Sequence, residues 1–509
     1  MSKQSMIKGT LILTVAAFIT KLMGFVNSMV MARMLGSEGI GLAMMAMPFT
    51  GILISLTTLG FEVAVSKLVA EYDSKGNHLL IKKILFVSLS ITSILSVMLM
   101  ISCIFLSRIL SSFFLTDQRA YYSFISVIPI VPIAAVSSVI KGYFRGKQNM
   151  TPIALSQIIE QMVRISFMVM LVQWLLPYGI EFAAAGAVLG GVIGEGVSIF
   201  YLISIFKRSK NEKYKLHHSF FHEISKGKDI LFDLLQIGLP TTVIGLIYSI
   251  SGVLQPIIIT QSLALAGIDT PLATKQFGML TGYAMPLVLL PGFITSALSV
   301  SLIPAISEAK AQNNFPLIDL RIQQAVRISL IIGVPWTIIL YVFSKLLTTV
   351  IYNSPEAGVF LKILSPFFLL QYFRLPFQSV MIGLGKANIA MINNLVTTIV
   401  TLIATFILAS NSEFGIYGVA LAFNIGVVLG TSLHFLTIVK LTGFSINIKD
   451  FLKVIFSGFM MGWGGISAYN YLSNQNVNTL LLLISSLAFS IFIYLLFIYF
   501  LKMLDFSKI

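Results

Sequence analysis

Long apolar runs, separated by charged or Pro/Gly-rich breaks, fill almost the whole chain. A helix needs roughly 20 predominantly apolar residues to cross a bilayer, so each run is read as one crossing. The pattern predicts fourteen helices, at 9–34, 39–69, 81–107, 120–143, 152–174, 182–206, 231–260, 275–304, 325–350, 357–382, 388–410, 415–439, 451–471 and 478–502. Lys3 and Lys8 before the first run resemble the start of a signal peptide. The run is too long for one, holds Lys21 inside and lacks a clean small-residue cleavage site, so it is read as a retained helix.

Composition agrees. Of 509 residues, 57% are hydrophobic and 10% charged, against about 25% charged in an average soluble domain. This excludes a water-soluble enzyme and a disordered chain. The expected fold is an all-α polytopic membrane protein. A single cysteine, Cys103, excludes a disulfide framework and any multi-cysteine metal site.

The net charge of +15 would suggest nucleic acid in a soluble protein, but zinc-finger spacings and RNA-binding aromatic signatures are absent. Its placement follows topology instead, because Lys and Arg in short loops stay on the cytoplasmic side. With the N-terminus inside, the inner segments hold 25 basic residues, among them Lys141, Arg145 and Lys147. The outer segments hold five: Arg33, Arg108, Arg119, Lys275 and Lys345. Both termini are therefore expected in the cytoplasm.

The chain repeats weakly at an offset of 236–239 residues. Met47-Pro48 answers Met285-Pro286, and Ser66–Glu71 answers Ile303–Glu308. Gly146-Lys147-Gln148-Asn149 answers Gly385-Lys386-Ala387-Asn388, and Tyr178-Gly179-Ile180 answers Phe414-Gly415-Ile416. Six helices separate the copies, so both halves have the same orientation, as in transporters built from two parallel bundles. The expected division is 1–206 (helices 1–6), a basic cytoplasmic linker at 207–230, 231–448 (helices 7–12) and a terminal helix pair at 449–509. Two bundles around a central cavity suit alternating access; a duplication kept only for packing is the plainer alternative. The spacing of four in Gly186, Gly190 and Gly194, and in Gly458 and Gly462, reads first as close helix packing.

Ionisable residues inside the spans are few, and each costs roughly 2.5–3.5 kcal/mol at the bilayer centre on insertion scales. The functional candidates among them are Lys21, Glu62, Glu160, Arg164, Glu195 and Arg374. Lys21, Arg164 and Arg374 are the candidate contacts for an anionic substrate. Glu62, Glu160 and Glu195 either balance those charges or bind a coupling ion. Glu160 and Arg164 stand four apart on one helix face and also suit a self-neutralised structural pair. Glu62 suits a pair with Lys21. His217, His218 and His222 lie in the linker without supporting acids, so no metal is expected. Without a Walker loop, a metalloprotease motif or a Ser/His/Asp set, neither cofactor nor enzymatic activity is expected.

The segments Lys8–Gly24, Val65–Glu71, Gly142–Arg164 (GYFRGKQNMTPIALSQIIEQMVR), Leu239–Thr242, Ala273–Gln276 and Leu302–Glu308 resemble the stage V sporulation protein B family. That family sits in the polysaccharide-exporter branch of the multidrug/oligosaccharidyl-lipid/polysaccharide (MOP) flippase superfamily, and is similar to MurJ-type lipid II flippases. The resemblance covers nearly the whole chain. It implies fourteen helices in two six-helix lobes plus a terminal pair, a groove for a prenyl tail at helices 13 and 14, and a role in spore cortex peptidoglycan synthesis. It also implies a cation site in the second lobe, for which Asp233, Asn393, Asn394 and Thr398 are the candidates. MurJ-type proteins carry several arginines in helices 1, 2 and 8; here helix 1 has Lys21 and helix 2 has Glu62.

The expected function is a flippase for a lipid-linked oligosaccharide, a lipid II-like peptidoglycan precursor, in the cell membrane. A diphosphate head group wants Arg or Lys. The expected partners are that substrate, membrane lipids, a coupling ion (Na+ or H+) and cell-wall synthesis proteins. A cation-coupled multidrug antiporter of the same superfamily and a non-transporting scaffold for cell-wall enzymes are the alternatives.

Overall fold

The computed structural model describes residues 6–208, 227–475 and 478–503; most of the expected linker lies outside them. Among the described residues there are helices and connections and no strand. Thirteen helical runs are long and apolar enough to cross a membrane. The first, Ile12–Ser74, has 63 residues, about 95 Å of helix at 1.5 Å per residue. That is some three times the hydrocarbon thickness of about 30 Å. The chain bends at Gly36 (φ 66°, ψ −178°) inside helix α1 (Met6–Thr58), a backbone conformation open essentially to glycine alone. The run therefore makes the two crossings predicted at 9–34 and 39–69, and thirteen runs give the fourteen crossings of the sequence pattern.

After α2 (Phe61–Ser74) come α3 (His78–Phe105), α4 (Ser107–Phe114), α5 (Tyr121–Val127), α6 (Ile130–Gly146), α7 (Thr151–Leu175), α8 (Ile180–Arg208), α9 (Gly227–Leu265) and α10 (Thr270–Gly278). The chain continues with α11 (Met285–Leu289), α12 (Gly292–Ala311), α13 (Phe315–Val342), α14 (Ser344–Tyr352), α15 (Gly358–Gly383), α16 (Ala387–Ala409), α17 (Gly415–Thr442), α18 (Ile448–Ser473) and α19 (Thr479–Phe500). The repeat is visible in this order. The 28-residue helices α3 and α13 follow Asn77 and Asn314, whose side chains accept the Leu80 and Leu317 amides at 3.2 and 3.1 Å. The same offset of 237 relates Ser107 to Ser344 at the starts of α4 and α14, and Gly146 to Gly383 at the ends of α6 and α15.

One predicted helix is corrected. The apolar run at 275–304 is not continuous. It consists of α10, a π-helical turn at Met279–Ala284, the short α11, and α12. Pro291 has no N–H for the carbonyl of Leu287, four residues earlier, and in an apolar medium that oxygen must find another donor. Trp336 Nε1 of α13 donates to it at 3.0 Å, and Tyr372 of α15 donates its hydroxyl to the adjacent Val288 carbonyl at 2.7 Å.

By packing, the chain forms two compact units, Met1–Thr260 with Thr270–Gly278, and Gln261–Asp269 with Met279–Ile509. Helix α9, which the sequence division gives to the second lobe, groups largely with the first unit. Glycines explain how closely it packs there. A Cβ on Gly238 would lie 2.2 Å from the Leu59 carbonyl oxygen, and one on Gly60 would lie 2.0 Å from Thr241 Oγ1. Phe61, Val65, Leu68, Ile84, Val139 and Leu234 form a buried core joining α2, α3, α6 and α9. In the same unit Gly186, Gly190 and Gly194 of α8 face α7, where a Cβ on Gly190 would meet the Met168 amide at 2.7 Å. In the second unit Gly458 of α18 packs on Val334 and Ile338 of α13. Tyr494 of α19 donates to the Ile331 carbonyl at 2.7 Å, so the terminal helix pair belongs to this unit. The glycine stripes serve close helix packing.

A polar cluster closes one end of the first unit. Asp117, 4% exposed, accepts from Arg119 Nη2 at 2.8 Å and from the Thr274 hydroxyl at 2.8 Å, and Arg119 also pairs with Glu38 at 2.5 Å. Burial pushes the Asp117 carboxyl up, but the Arg119 and Thr274 hydrogen bonds outweigh it and hold the group below the usual aspartate value.

Two predictions follow from this packing. Gly60 combines a left-handed φ of 64° with no room for a Cβ, so Gly60→Ala should cost about 2–4 kcal/mol, while Gly24→Ala, with nothing within 4 Å of its Cβ, should leave the melting temperature in detergent nearly unchanged. A carboxyl with a lowered folded pKa contributes stability above the unfolded value of about 4 and loses it as the pH falls through the folded value. Asp117→Asn should therefore lower the melting temperature at pH 7, and the gap to the parent protein should shrink below about pH 4.

Candidate functional site

Five crossings of the first unit turn polar residues toward one space. Ser55 and Thr58 come from α1, Glu62 from α2, Ser138 and Lys141 from α6, Arg164 from α7, Glu195 from α8, and Thr241 and Thr242 from α9. They line a cavity of about 510 Å³ together with Ile54, Val63, Ile130 and Ala134. These hydroxyls and charges together give a wall of mixed polarity inside apolar segments.

Paired charges hold this wall. Lys141 Nζ donates to Glu195 Oε1 at 3.2 Å, with side-chain exposures of 17% and 10%. Arg164 Nη2 donates to Glu160 Oε1 at 2.5 Å. The Glu160 and Glu195 carboxyls lie close enough to hydrogen-bond to each other. Lys141, Glu195, Glu160 and Arg164 thus form one chain of alternating pairs across α6, α8 and α7. Gly194 makes it possible. A Cβ there would lie 2.8 Å from the Glu160 carbonyl oxygen and 3.1 Å from Arg164 Cβ, so α8 approaches α7 closely at that level. The Arg164 Nε is buried without a hydrogen-bond partner.

The sequence-selected residues divide into three groups. Arg164, Glu160 and Glu195 meet in this network; the first and last line the cavity and Glu160 sits behind Arg164. Glu62 also lines the cavity, but its partner is Arg145 of α6, at 3.0 Å, and not Lys21. Lys21 is exposed on α1, away from the cavity lining, and has no ion pair among the described residues.

Arg374 lies in the second unit. It donates to Asn394 Oδ1 at 2.9 Å, and the carbon of its guanidinium would sit 3.1 Å from a Cβ on Gly430. Asn394 Oδ1 and the fully buried His434 ring are 3.3 Å apart, and Asn393 reaches His434 and Thr437 at 3.3 Å each. An asparagine oxygen already accepting from a guanidinium is a poor cation ligand. Thr398 is half-buried on the same helix, and Asp233 belongs to the first unit. Among the described residues no group of three or more His, Cys, Asp or Glu could hold a metal.

Lys141 was missed as a site residue, because its place near a helix end reads as a topology signal. The available clue was the run Ser137, Ser138, Lys141, Arg145, polar positions three or four apart that share one face of α6.

The charge network carries a stability test. Removing one member of a buried pair leaves the other uncompensated, at a cost of about 3–5 kcal/mol. Lys141→Gln alone should destabilise the detergent-solubilised protein, and adding Glu195→Gln should restore at least half of the loss. Additive effects in thermal unfolding would show that the two groups do not interact.

The family profile described as "Polysaccharide biosynthesis protein" matches residues 6–310, and one described as "MatE" matches residues 281–407. Stage V sporulation protein B of Bacillus subtilis (strain 168) is 45% identical over 464 residues, covering 90% of this chain and 89% of that protein. Among solved structures, lipid II flippase MurJ in an inward closed conformation superposes with a TM-score of 0.72 at 17% identity, covering 97% of this chain and 99% of that one. An inward-facing multidrug resistance MATE family transporter of the MOP superfamily superposes with a TM-score of 0.67 at 16% identity, covering 82% and 93%.

Proposed function

The chain belongs to the polysaccharide biosynthesis protein family, and from that premise we propose that it is a flippase for a lipid-linked oligosaccharide with a diphosphate head group. The observation that carries the reading is the polar cavity of the first unit, where Lys141 and Arg164 face about 510 Å³ of space between membrane-spanning helices. A sugar diphosphate needs cations for its phosphates and hydroxyls for its sugars. Ser55, Thr58, Ser138, Thr241 and Thr242 supply the latter.

The name of the 45% identical relative supports a peptidoglycan precursor in spore formation as the cargo, and the fold shared with MurJ is compatible with a lipid II-like molecule. Both termini face the cytoplasm in this reading, which the basic-residue asymmetry supports. Lys141 then lies near the cytoplasmic end of α6, and Arg164, about 20 Å along α7 from its first residue, lies near mid-membrane. The cavity leads inward from the leaflet where the head group starts. Lys21, exposed and without an ion pair among the described residues, is a further contact along the route, and Arg374 is the corresponding cation of the second unit. Alternating access driven by the membrane potential or an ion gradient moves the head group.

A cation-coupled multidrug antiporter is the second reading, favoured by the MatE match. It requires a net anionic cavity, whereas the cavity-lining acids here, Glu62 and Glu195, are each paired with a base.

Translocation of a fluorescent polyprenyl diphosphate disaccharide in proteoliposomes tests the proposal. The charge-balanced double variants Lys141→Gln/Glu195→Gln and Arg164→Gln/Glu160→Gln, and the single variant Lys21→Ala, should each lose about tenfold or more in rate, equivalent to about 1.4 kcal/mol, with melting temperatures near the parent value. Parent-like rates for all three would remove the reading.

A further inference from the structure

Charge balance in the cavity raises a question that the flippase reading leaves open. Lys141 and Arg164 are both engaged by carboxylates, so an arriving phosphate must displace at least one of them. The nearest other base, Lys141, is already hydrogen-bonded to Glu195 at 3.2 Å. The charged groups lining the cavity are Glu62 of α2, Lys141 of α6, Arg164 of α7 and Glu195 of α8; behind them Arg145 of α6 pairs with Glu62 and Glu160 of α7 pairs with Arg164. Arg145 is committed to Glu62 at 3.0 Å. The α1 and α9 walls contribute only Ser55, Thr58, Thr241 and Thr242 as polar side chains. What the displaced carboxylate does have is another carboxylate at hydrogen-bonding reach.

We infer that the Glu160–Glu195 pair takes up one proton from solvent when a diphosphate binds at Arg164, which makes this site a proton–anion co-binding site. In the empty cavity two acids and two bases cancel. A phosphate oxygen replaces Glu160 Oε1 on Arg164 Nη2 and also reaches Nε, the guanidinium nitrogen without a partner, giving the two-point contact that suits a phosphate. Glu160, now without its counter-charge in a site 13% exposed, gains a proton and becomes a hydroxyl donor. It donates that O–H to the Glu195 carboxylate, which keeps Lys141. One proton enters from water, one carboxylate becomes a carboxylic acid, and no other bond changes. Without the proton, a charge on each phosphate would be added to two ionised acids, and like charges at that distance in a poorly hydrated space disfavour one another. By linkage, a ligand that brings a proton with it binds more weakly as the pH rises.

This inference rests on the flippase reading of the cavity, and calorimetry on the full-length protein in detergent separates the two. The probe is citronellyl diphosphate N-acetylglucosamine, a diphosphate diester that does not itself titrate near neutral pH. Binding enthalpies measured at pH 8 in buffers of different ionisation enthalpy should show uptake of up to about one proton per probe, and affinity should fall by up to about tenfold per pH unit. In Glu160→Gln the amide already stands where the protonated acid would, so the probe should bind at least as tightly, with uptake near zero. Arg164→Lys should weaken binding by about tenfold, through loss of the two-point contact. If the parent protein binds the probe with no dependence on buffer, the proton is overturned while the flippase reading stands. Uptake that persists in Glu160→Gln and in Glu195→Gln overturns it equally. If the parent protein does not bind the probe, or binds it identically in Arg164→Lys and Lys141→Gln/Glu195→Gln, the cavity is not the head-group site and both fall together.

Discussion

Ionised groups buried within a membrane-spanning bundle need compensation, and the pairing of Lys141 with Glu195 and of Arg164 with Glu160 is the interaction on which the first unit depends. An isolated charge there is expensive. Two opposed pairs joined through their carboxylates cancel nearly all of that cost and still leave polar atoms at the cavity wall. The rest of the local architecture serves the arrangement. Gly194 lets α8 lie against α7 at the level of the charges, and Gly142 and Gly146 let α6 lie against α2, where a Cβ on either would meet a carbonyl oxygen at 2.7 Å. The Arg145–Glu62 pair and the Lys147–Asp73 pair at 2.5 Å then fasten α6 to α2 along the same face. The cavity is thus framed by helices whose approach is set by missing side chains.

The second unit repeats the helix order but not this chemistry. Where the first unit neutralises cations with carboxylates, Arg374 donates to Asn394, and the amides of Asn393 and Asn394 close around the buried His434. Equivalent helix positions therefore carry different polar groups in the two units: carboxylates around Lys141 and Arg164, amides and an imidazole around Arg374.

Crossings were legible in the sequence because a 20-residue apolar run has few alternatives, and the repeat was legible because loop residues recur at one offset. The Asn77 and Asn314 caps show why the offset holds: each is a helix start with the same hydrogen bond. What escaped was the interruption at Met279–Ala284 and Pro291, since apolar content is continuous across it and only the donors from Trp336 and Tyr372 reveal the freed carbonyls. Glu160 and Arg164 were legible as a pair because their spacing is local. Lys141 with Glu195 was not, because 54 residues separate them and nothing in a linear reading tells a snorkelling lysine from one turned inward. Glu62 was given the wrong partner for the same reason. Its choice of Arg145 follows from α2 packing on α6, a fact of tertiary structure.

Function places opposite demands on such a network. Stability favours the tightest pairing of each base with its own acid, whereas the proposed transport of a diphosphate requires that the pairing yield to a phosphate and then re-form. A single buried ion pair satisfies only the first demand, because opening it strands a charge on each side. Two pairs that share a carboxylate contact can satisfy both: in the proposed exchange the acid released from one pair lies against the acid of the other, and one mobile proton settles the balance. A binding site that can be emptied and refilled inside a bilayer therefore needs a reserve group next to each cation, and in this chain Glu160 stands in that position beside Arg164.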